Sequence, residues 1–250
     1  MTTYLGQNFL TDSKIQSYIA DKVQSLVHHH QADTLIEIGP WKWAITKKIH
    51  HLARHFLAIE KDTRMQAYIQ RYLRKDQIHW GDVLQYTASQ ETHHKTIIVG
   101  NLPYYITSPI LRKFFAQWAA DYAAGICMIQ KEVGEKIHSL ATKKSYLWRL
   151  LNYAYDVSYL KTVPAKCFSP APKVDSCLIQ LQAKHTLPSI PFADLCAILD
   201  IIAPYSRKTL WKIGKMHTDK ILIPPSLATY RLEDCCMEDI AQISLLAQAP

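Results

Sequence analysis

The chain has 250 residues, 48% apolar and 20% charged, ordinary proportions for a globular protein and enough for one large domain or an α/β domain with a small appendage. No run approaches the roughly 18 apolar residues of a membrane span and the start lacks a secretory pattern, so the expected compartment is the cytoplasm. The formal charge of +8 sits in residues 1–183, with 22 Lys and Arg against 14 Asp and Glu, while residues 184–250 carry seven of each. Such an excess favours a polyanionic partner such as nucleic acid, with solubility alone as the plainer reading.

Taken in order, residues 1–12 form a short polar and aromatic segment, and Asp12 or Ser13 caps a helix predicted over 13–27. Thr34 to Pro40 reads as a strand and turn, residues 44–53 as a helix, and Phe56 to Glu60 as a strand ending in an acid. The interval from Gly39 to Glu60 is close to the spacing of about 20 residues between a phosphate-type loop and an acid that binds ribose hydroxyls. A capping or surface glutamate is the alternative. Residues 65–73 read as a helix and Ile78 to Asp82 as a short strand whose final acid could meet an adenine amine. His28, His29 and His30 point in different directions at a helix end, and the six cysteines show no metal-binding spacing, so no metal is expected.

Ile97-Ile98-Val99-Gly100-Asn101-Leu102-Pro103-Tyr104-Tyr105 is the stretch that organises the rest. Its β-branched run reads as a buried strand that Asn101 and Pro103 end in a turn. In an open α/β sheet, ligands bind at that end of a strand. The Asn101 amide oxygen and a neighbouring main-chain carbonyl could each accept one hydrogen of an exocyclic amine while Tyr104 stacks on the base. A strand-terminating turn with a half-buried tyrosine accounts for the same residues.

Helix 108–118, strand 125–130, helices 131–140 and 146–153, strand 157–163, a proline-rich loop over 164–175 and strand 176–182 follow. This alternation argues for a largely parallel sheet covered on both faces. Pro188 and Pro191 interrupt the pattern and mark a boundary near 184–191, beyond which helices are expected over 192–203, 206–216, 225–230 and 237–247. The expected division is therefore a catalytic domain at 1–183 and a small helical domain at 184–250. Arg207, Lys208, Lys212 and Lys215 cluster on one predicted helix and could grip phosphates, or be only a solvated basic face.

Together the motifs resemble the KsgA family of small-subunit ribosomal RNA adenine N6,N6-dimethyltransferases, relatives of the Erm methyltransferases. The likeness rests on Leu5-Gly6-Gln7-Asn8-Phe9-Leu10, Glu37-Ile38-Gly39-Pro40, Asn101-Leu102-Pro103-Tyr104, Gln130-Lys131-Glu132-Val133 and Phe168 to Ser176, spaced in order along nearly the whole chain. It implies a Rossmann-like α/β methyltransferase sheet that uses S-adenosylmethionine, held by Asn8, Leu10, Gly39, Glu60, Asp82 and Asn101. It also implies that Asn101, Leu102 and Pro103 present the target amine and that Tyr104 and Phe168 stack on a flipped adenine. The implied partner is small-subunit ribosomal RNA in an assembling subunit, approached by a monomer.

Two departures stand out. Where the family has Gly, a variable residue, then Gly or Ala after Pro40, this chain has Trp41-Lys42-Trp43, and Trp148 stands where the family usually has glycine. Small residues there allow a tight turn and close approach of the backbone to a cofactor. Either cofactor binding is lost and the protein is a silent RNA-binding assembly factor, or a glycine codon (UGA in some genomes) has been decoded as tryptophan. The chain has 7 glycines, against about 17 at average usage. A DNA adenine methyltransferase would share the Asn-Pro-Tyr logic but leave the 168–176 loop and the basic appendage unexplained.

Overall fold

The computed structural model describes residues 8–87, 95–116, 122–142 and 144–246. Leu5, Gly6, Gln7, Trp118 and the end of the last predicted helix at 247 lie outside the described residues.

β1 (Phe9–Leu10) leads into α1 (Ser13–His30), whose N-cap is Asp12: its Oδ1 accepts the N–H groups of Lys14 and Ile15 at 2.9 and 3.0 Å. Ile15, Ile19, Val23 and Leu26 recur at helical spacing and form its buried face. β2 (Thr34–Ile38) is buried throughout, α2 (Thr46–Ile49) is a single turn, and β3 (His55–Glu60) follows. The helix expected over 44–53 shrinks because its first turn is taken up by the loop at 41–45 and because Ile45, Thr46 and Ile49 are β-branched. α3 (Gln66–Ile69), β4 (Ile78–Trp80), β5 (Thr96–Asn101) and α4 (Thr107–Phe115) come next. β6 (Ala124–Gln130), α5 (Lys131–Ile137), α6 (Tyr146–Ala154), β7 (Tyr155–Val163), β8 (Phe168–Ser169) and β9 (Ser176–Ala183) complete the sheet region.

The described residues form a seven-stranded sheet in the order β4-β3-β2-β5-β6-β9-β7. The first five strands are parallel and β9 runs antiparallel to both its neighbours. Residues 164–175 hold no helix long enough for a crossover, so β7 and β9 return as an antiparallel pair. Helices α1, α2 and α3 pack on the face carrying Leu35, Ala58, Ile97 and Val99, and α4 and α6 pack on the face carrying Ile36, Ile38 and Ile98. From β2 the chain winds outward one way through β3 and β4, and the other way through β5 and β6. The crevice at such a reversal, at the carboxyl ends of the strands, is where ligands settle in open α/β sheets. Gly39 and Asn101 stand there.

Residues 184–246 contribute α7 (Phe192–Ile202), α8 (Leu210–Met216), β10 (Ile221–Leu222), α9 (Met237–Ala241) and β11 (Ser244–Leu245). The segment expected as one helix over 237–247 turns after five residues into β11, which pairs with β10, because short apolar runs do not distinguish helix from strand by periodicity. α6 holds this part of the chain in place. Buried Arg149 donates from Nη1 to the Cys235 carbonyl at 2.9 Å and from Nη2 to the Leu232 carbonyl, and the Tyr153 hydroxyl donates to the Ile190 carbonyl at 2.9 Å. No described helix is long and apolar enough to cross a membrane.

Candidate functional site

Asn101 ends β5 and is buried. Its Nδ2 donates to the Asn8 carbonyl at 3.0 Å, which leaves Oδ1 at the opposite pole of the amide as an acceptor. The Leu102 N–H donates to the Met128 carbonyl at 2.9 Å. The Pro103 carbonyl accepts the Ile106 N–H at 3.2 Å and the Thr107 hydroxyl at 3.0 Å. The Asn-Leu-Pro-Tyr turn is thereby tied to β6 on one side and to the start of α4 on the other. Tyr104 shares a hydrogen bond of 2.6 Å with the Ser176 hydroxyl, and burial raises its phenol above the ordinary range. Phe168 pairs through the backbone with Leu10 and is buried, so its ring is more enclosed than a stacking surface needs to be.

Two hollows flank this turn. One, of about 270 Å³, is lined by Leu10, Gln16, Glu37, Gly39 and Asn101. The other, of about 50 Å³, is lined by Gly39, Glu60, Asp82, Pro103 and Tyr105. Glu60 accepts the Asp62 N–H on Oε1 at 2.8 Å and the Trp41 N–H on Oε2 at 3.2 Å, and burial pushes its carboxyl up against those two bonds. Asp82 is held below the usual carboxylate range, first by the Lys61 ammonium at 2.9 Å and then by the Leu84 N–H. Asn8, Leu10, Gly39 and Asn101 thus gather on one side, and Gly39, Glu60 and Asp82 on the other.

Trp41 lines both hollows, as does Gly39. The Trp41 indole is 7% exposed, meets the Phe9 ring edge-on at 5.8 Å and 83°, and puts Nε1 2.7 Å from where a β-carbon on residue 39 would lie. Gly39 has φ of +66°, so the backbone calls for glycine there, and the Trp41 indole fills the space beside it. Trp41 at +48° and Trp43 at +59° lie in the same left-handed region, which costs an L-residue about 1–2 kcal/mol. Trp148 differs. It sits in α6, its indole N–H donates to the His138 carbonyl at 2.9 Å and its main-chain N–H donates to the Ser145 hydroxyl at 3.1 Å.

Arg207, Lys208, Lys212 and Lys215 are exposed and far along the chain from both hollows. Only Lys212 and Lys215 lie on α8. Arg207 and Lys208 belong to the turn before it, because the helix expected from 206 begins at Leu210. Lys215 stacks its ammonium 4.2 Å from the centre of the Trp211 ring, which is half exposed.

Sequence reasoning missed two residues. Tyr105, 59% exposed at the mouth of the smaller hollow, was hidden behind its neighbour Tyr104. Glu37 is fully buried, its Oε2 has no partner, and burial pushes its carboxyl up to about 8, with Thr46 pulling the other way. The available signal was a lone acid inside an otherwise buried parallel strand.

The family model described as ribosomal RNA adenine dimethylase matches residues 1–218. The chain belongs to the ribosomal RNA adenine dimethylase family. Among relatives in this family, it is 36% identical over 213 residues to the Ribosomal RNA small subunit methyltransferase A of Neisseria gonorrhoeae, covering 82% of this chain and 79% of that one. It is 30% identical over 257 aligned positions to the protein of the same name from Coxiella burnetii, covering 98% and 96%. A dimethyladenosine transferase from Plasmodium falciparum superposes with a TM-score of 0.73 over 93% of this chain and 94% of that one at 20% identity. The methyltransferase ErmE does so at 0.65 over 84% of each at 21% identity. These two structures share the α/β methyltransferase fold of the dimethylase family.

S-adenosylmethionine is the group such a fold holds, and the donor set suits it. Glu60 and Asp82 offer carboxylate oxygens that can accept hydrogen bonds from hydroxyl or amine hydrogens, and Gly39 lines the same hollow with bare backbone. Trp41 and Gly39 line both hollows, which at about 50 and 270 Å³ are each smaller than the roughly 300–1,000 Å³ of an ordinary ligand pocket.

Proposed function

We propose that this chain methylates the exocyclic amine of adenines in small-subunit ribosomal RNA, giving N6,N6-dimethyladenine, with S-adenosylmethionine as the methyl donor. The observation that carries the reading is the Asn101 amide at the tip of β5, fixed by its bond to Asn8 so that its oxygen is free to accept. When bound, the cofactor supplies an electrophilic methyl group.

The chain's own part is positioning. An adenine amine is a poor nucleophile because its lone pair is delocalised into the ring. Two acceptors, Oδ1 of Asn101 and the main-chain carbonyl of Leu102, hold the two amine hydrogens and favour the geometry in which that lone pair is available. Pro103 fixes the turn that carries them. Tyr104 stacks on the everted base, and Phe168, buried in the β1–β8 pair, is the second ring the resemblance offers for it. Asn8, Leu10, Gly39, Glu60, Asp82 and Asn101 line the cofactor's place.

We read residues 1–183 as the catalytic domain and 184–250 as the RNA-contacting part, with Arg207, Lys208, Lys212 and Lys215 on phosphates. The partner is the assembling small subunit, met in the cytoplasm by a monomer. A silent RNA-binding factor on the same fold is the alternative, and it rests on the Trp41 indole lining the hollows. Calorimetric titration with S-adenosylmethionine, alongside transfer of labelled methyl groups to unmethylated small subunits, tests the enzyme. Transfer supports it, and binding to subunits without transfer by any form of the chain supports the silent factor.

A further inference from the structure

We propose that positions 41 and 43 are glycine in the functional polypeptide, the two tryptophans being glycine codons decoded as tryptophan, and that glycine at 41 opens the cofactor cleft. The inference rests on the cofactor reading above and adds which residues that cleft requires.

The backbone is the first support. Residues 39, 41 and 43 have φ of +66°, +48° and +59°, three left-handed residues in one short turn. Only a few per cent of non-glycine residues adopt such angles, and bulky ones are outliers there. Among the described residues, Gln31 is the other non-glycine residue with positive φ. It lies at the C-cap of α1, where that conformation is common. Trp41 and Trp43 have no such excuse, since neither ends a helix.

Space is the second and independent support. Trp41 and Gly39 line both hollows, with the Glu60 and Asp82 acceptors in one and Asn101 and Glu37 in the other, and Trp41 is the only one of the two shared residues with a side chain to remove. With no side chain at 41 the hollows join into one cleft running from Asp82 to Asn101. The main-chain N–H of residue 41, which already donates to Glu60 at 3.2 Å, needs no side chain to keep that bond. Trp43 lies outside the cleft against the Tyr72 ring, at 3.9 Å between centroids, so its replacement relaxes the turn and leaves the cleft walls alone.

Trp148 marks the limit of the inference. Its main chain is helical and both of its N–H groups have partners, so nothing in its surroundings asks for glycine.

The test has two arms. Codons 41 and 43 are read from the gene, and the peptide spanning them is weighed from the protein purified from its own cells. Glycine masses at both positions are expected, and tryptophan masses overturn the proposal. This arm does not depend on how a recombinant variant folds. In the second arm the chain as written and the W41G/W43G variant, both checked for folding by circular dichroism, are titrated with S-adenosylmethionine. The variant is expected to bind on the order of 100-fold tighter, because the chain as written must first evict a buried indole. Equal affinity overturns the claim that glycine at 41 opens the cleft and leaves the enzyme reading standing. Failure of both folded forms to bind overturns the two together.

Discussion

Replacing Glu37 by glutamine isolates the effect of one buried acid on stability. Glu37 is fully buried with Oε2 unpartnered, and burial pushes its carboxyl up to about 8 from the ordinary 4.5. Across the interval between those values the native state holds a proton that the unfolded chain has released. Stability from this group is therefore complete below the unfolded value and is lost as pH rises through the folded one, at up to ~1.4 kcal/mol per pH unit. Over the interval from about pH 5 to about pH 8 the loss integrates to roughly 3–4 kcal/mol. Glutamine keeps the shape, stays neutral and lacks the slope. Urea unfolding of both proteins across that interval is expected to give similar stabilities at the acid end, with a growing advantage for Glu37→Gln toward the alkaline end. Parallel curves would refute the reasoning, since they would mean that the Glu37 carboxylate is ionised and solvated in the native protein and that the hollow behind Asn101 is wet.

Asn101→Ala removes the acceptor at the strand tip and is expected to lower methyl transfer on the order of 100-fold, with cofactor binding less affected, as read by single-turnover transfer and calorimetry. Tyr104→Phe loses only the bond to Ser176 and should keep most activity, whereas Tyr104→Ala also loses the stacking face. That face is worth about 1–3 kcal/mol of base binding, so RNA affinity measured by filter binding should fall roughly tenfold or more. Replacing Arg207, Lys208, Lys212 and Lys215 together by alanine should weaken RNA binding and reduce the salt slope by about one for each phosphate no longer neutralised. An unchanged slope would remove these residues from the interface.

The sheet was legible in the sequence because its strands are short apolar runs that end in chemistry: Ile38 before Gly39, Ile59 before Glu60, Gly100 before Asn101. Convergence of Gly39 and Asn101 follows from parallel pairing, with Ile38 opposite Gly100. Elements held by tertiary packing were harder to read. The β1–β8 pair is two residues a side and carries no periodicity, yet it brings Asn8 to Asn101. β10 and β11 are equally short, and α8 starts later than its apolar pattern suggests. The tryptophans of the cofactor loop were visible as misfits to a motif, but only the backbone angles separate Trp41 and Trp43 from Trp148.

The central claim is that the tip of β5 presents an adenine amine for methylation. Small ribosomal subunits lacking the modification, incubated with labelled S-adenosylmethionine and the chain carrying glycine at 41 and 43, test it when their RNA is digested to nucleosides and separated. The account predicts label in N6,N6-dimethyladenosine, and none when Asn101→Ala is added. Label in another nucleoside, or no label from a protein that binds the cofactor, would contradict it.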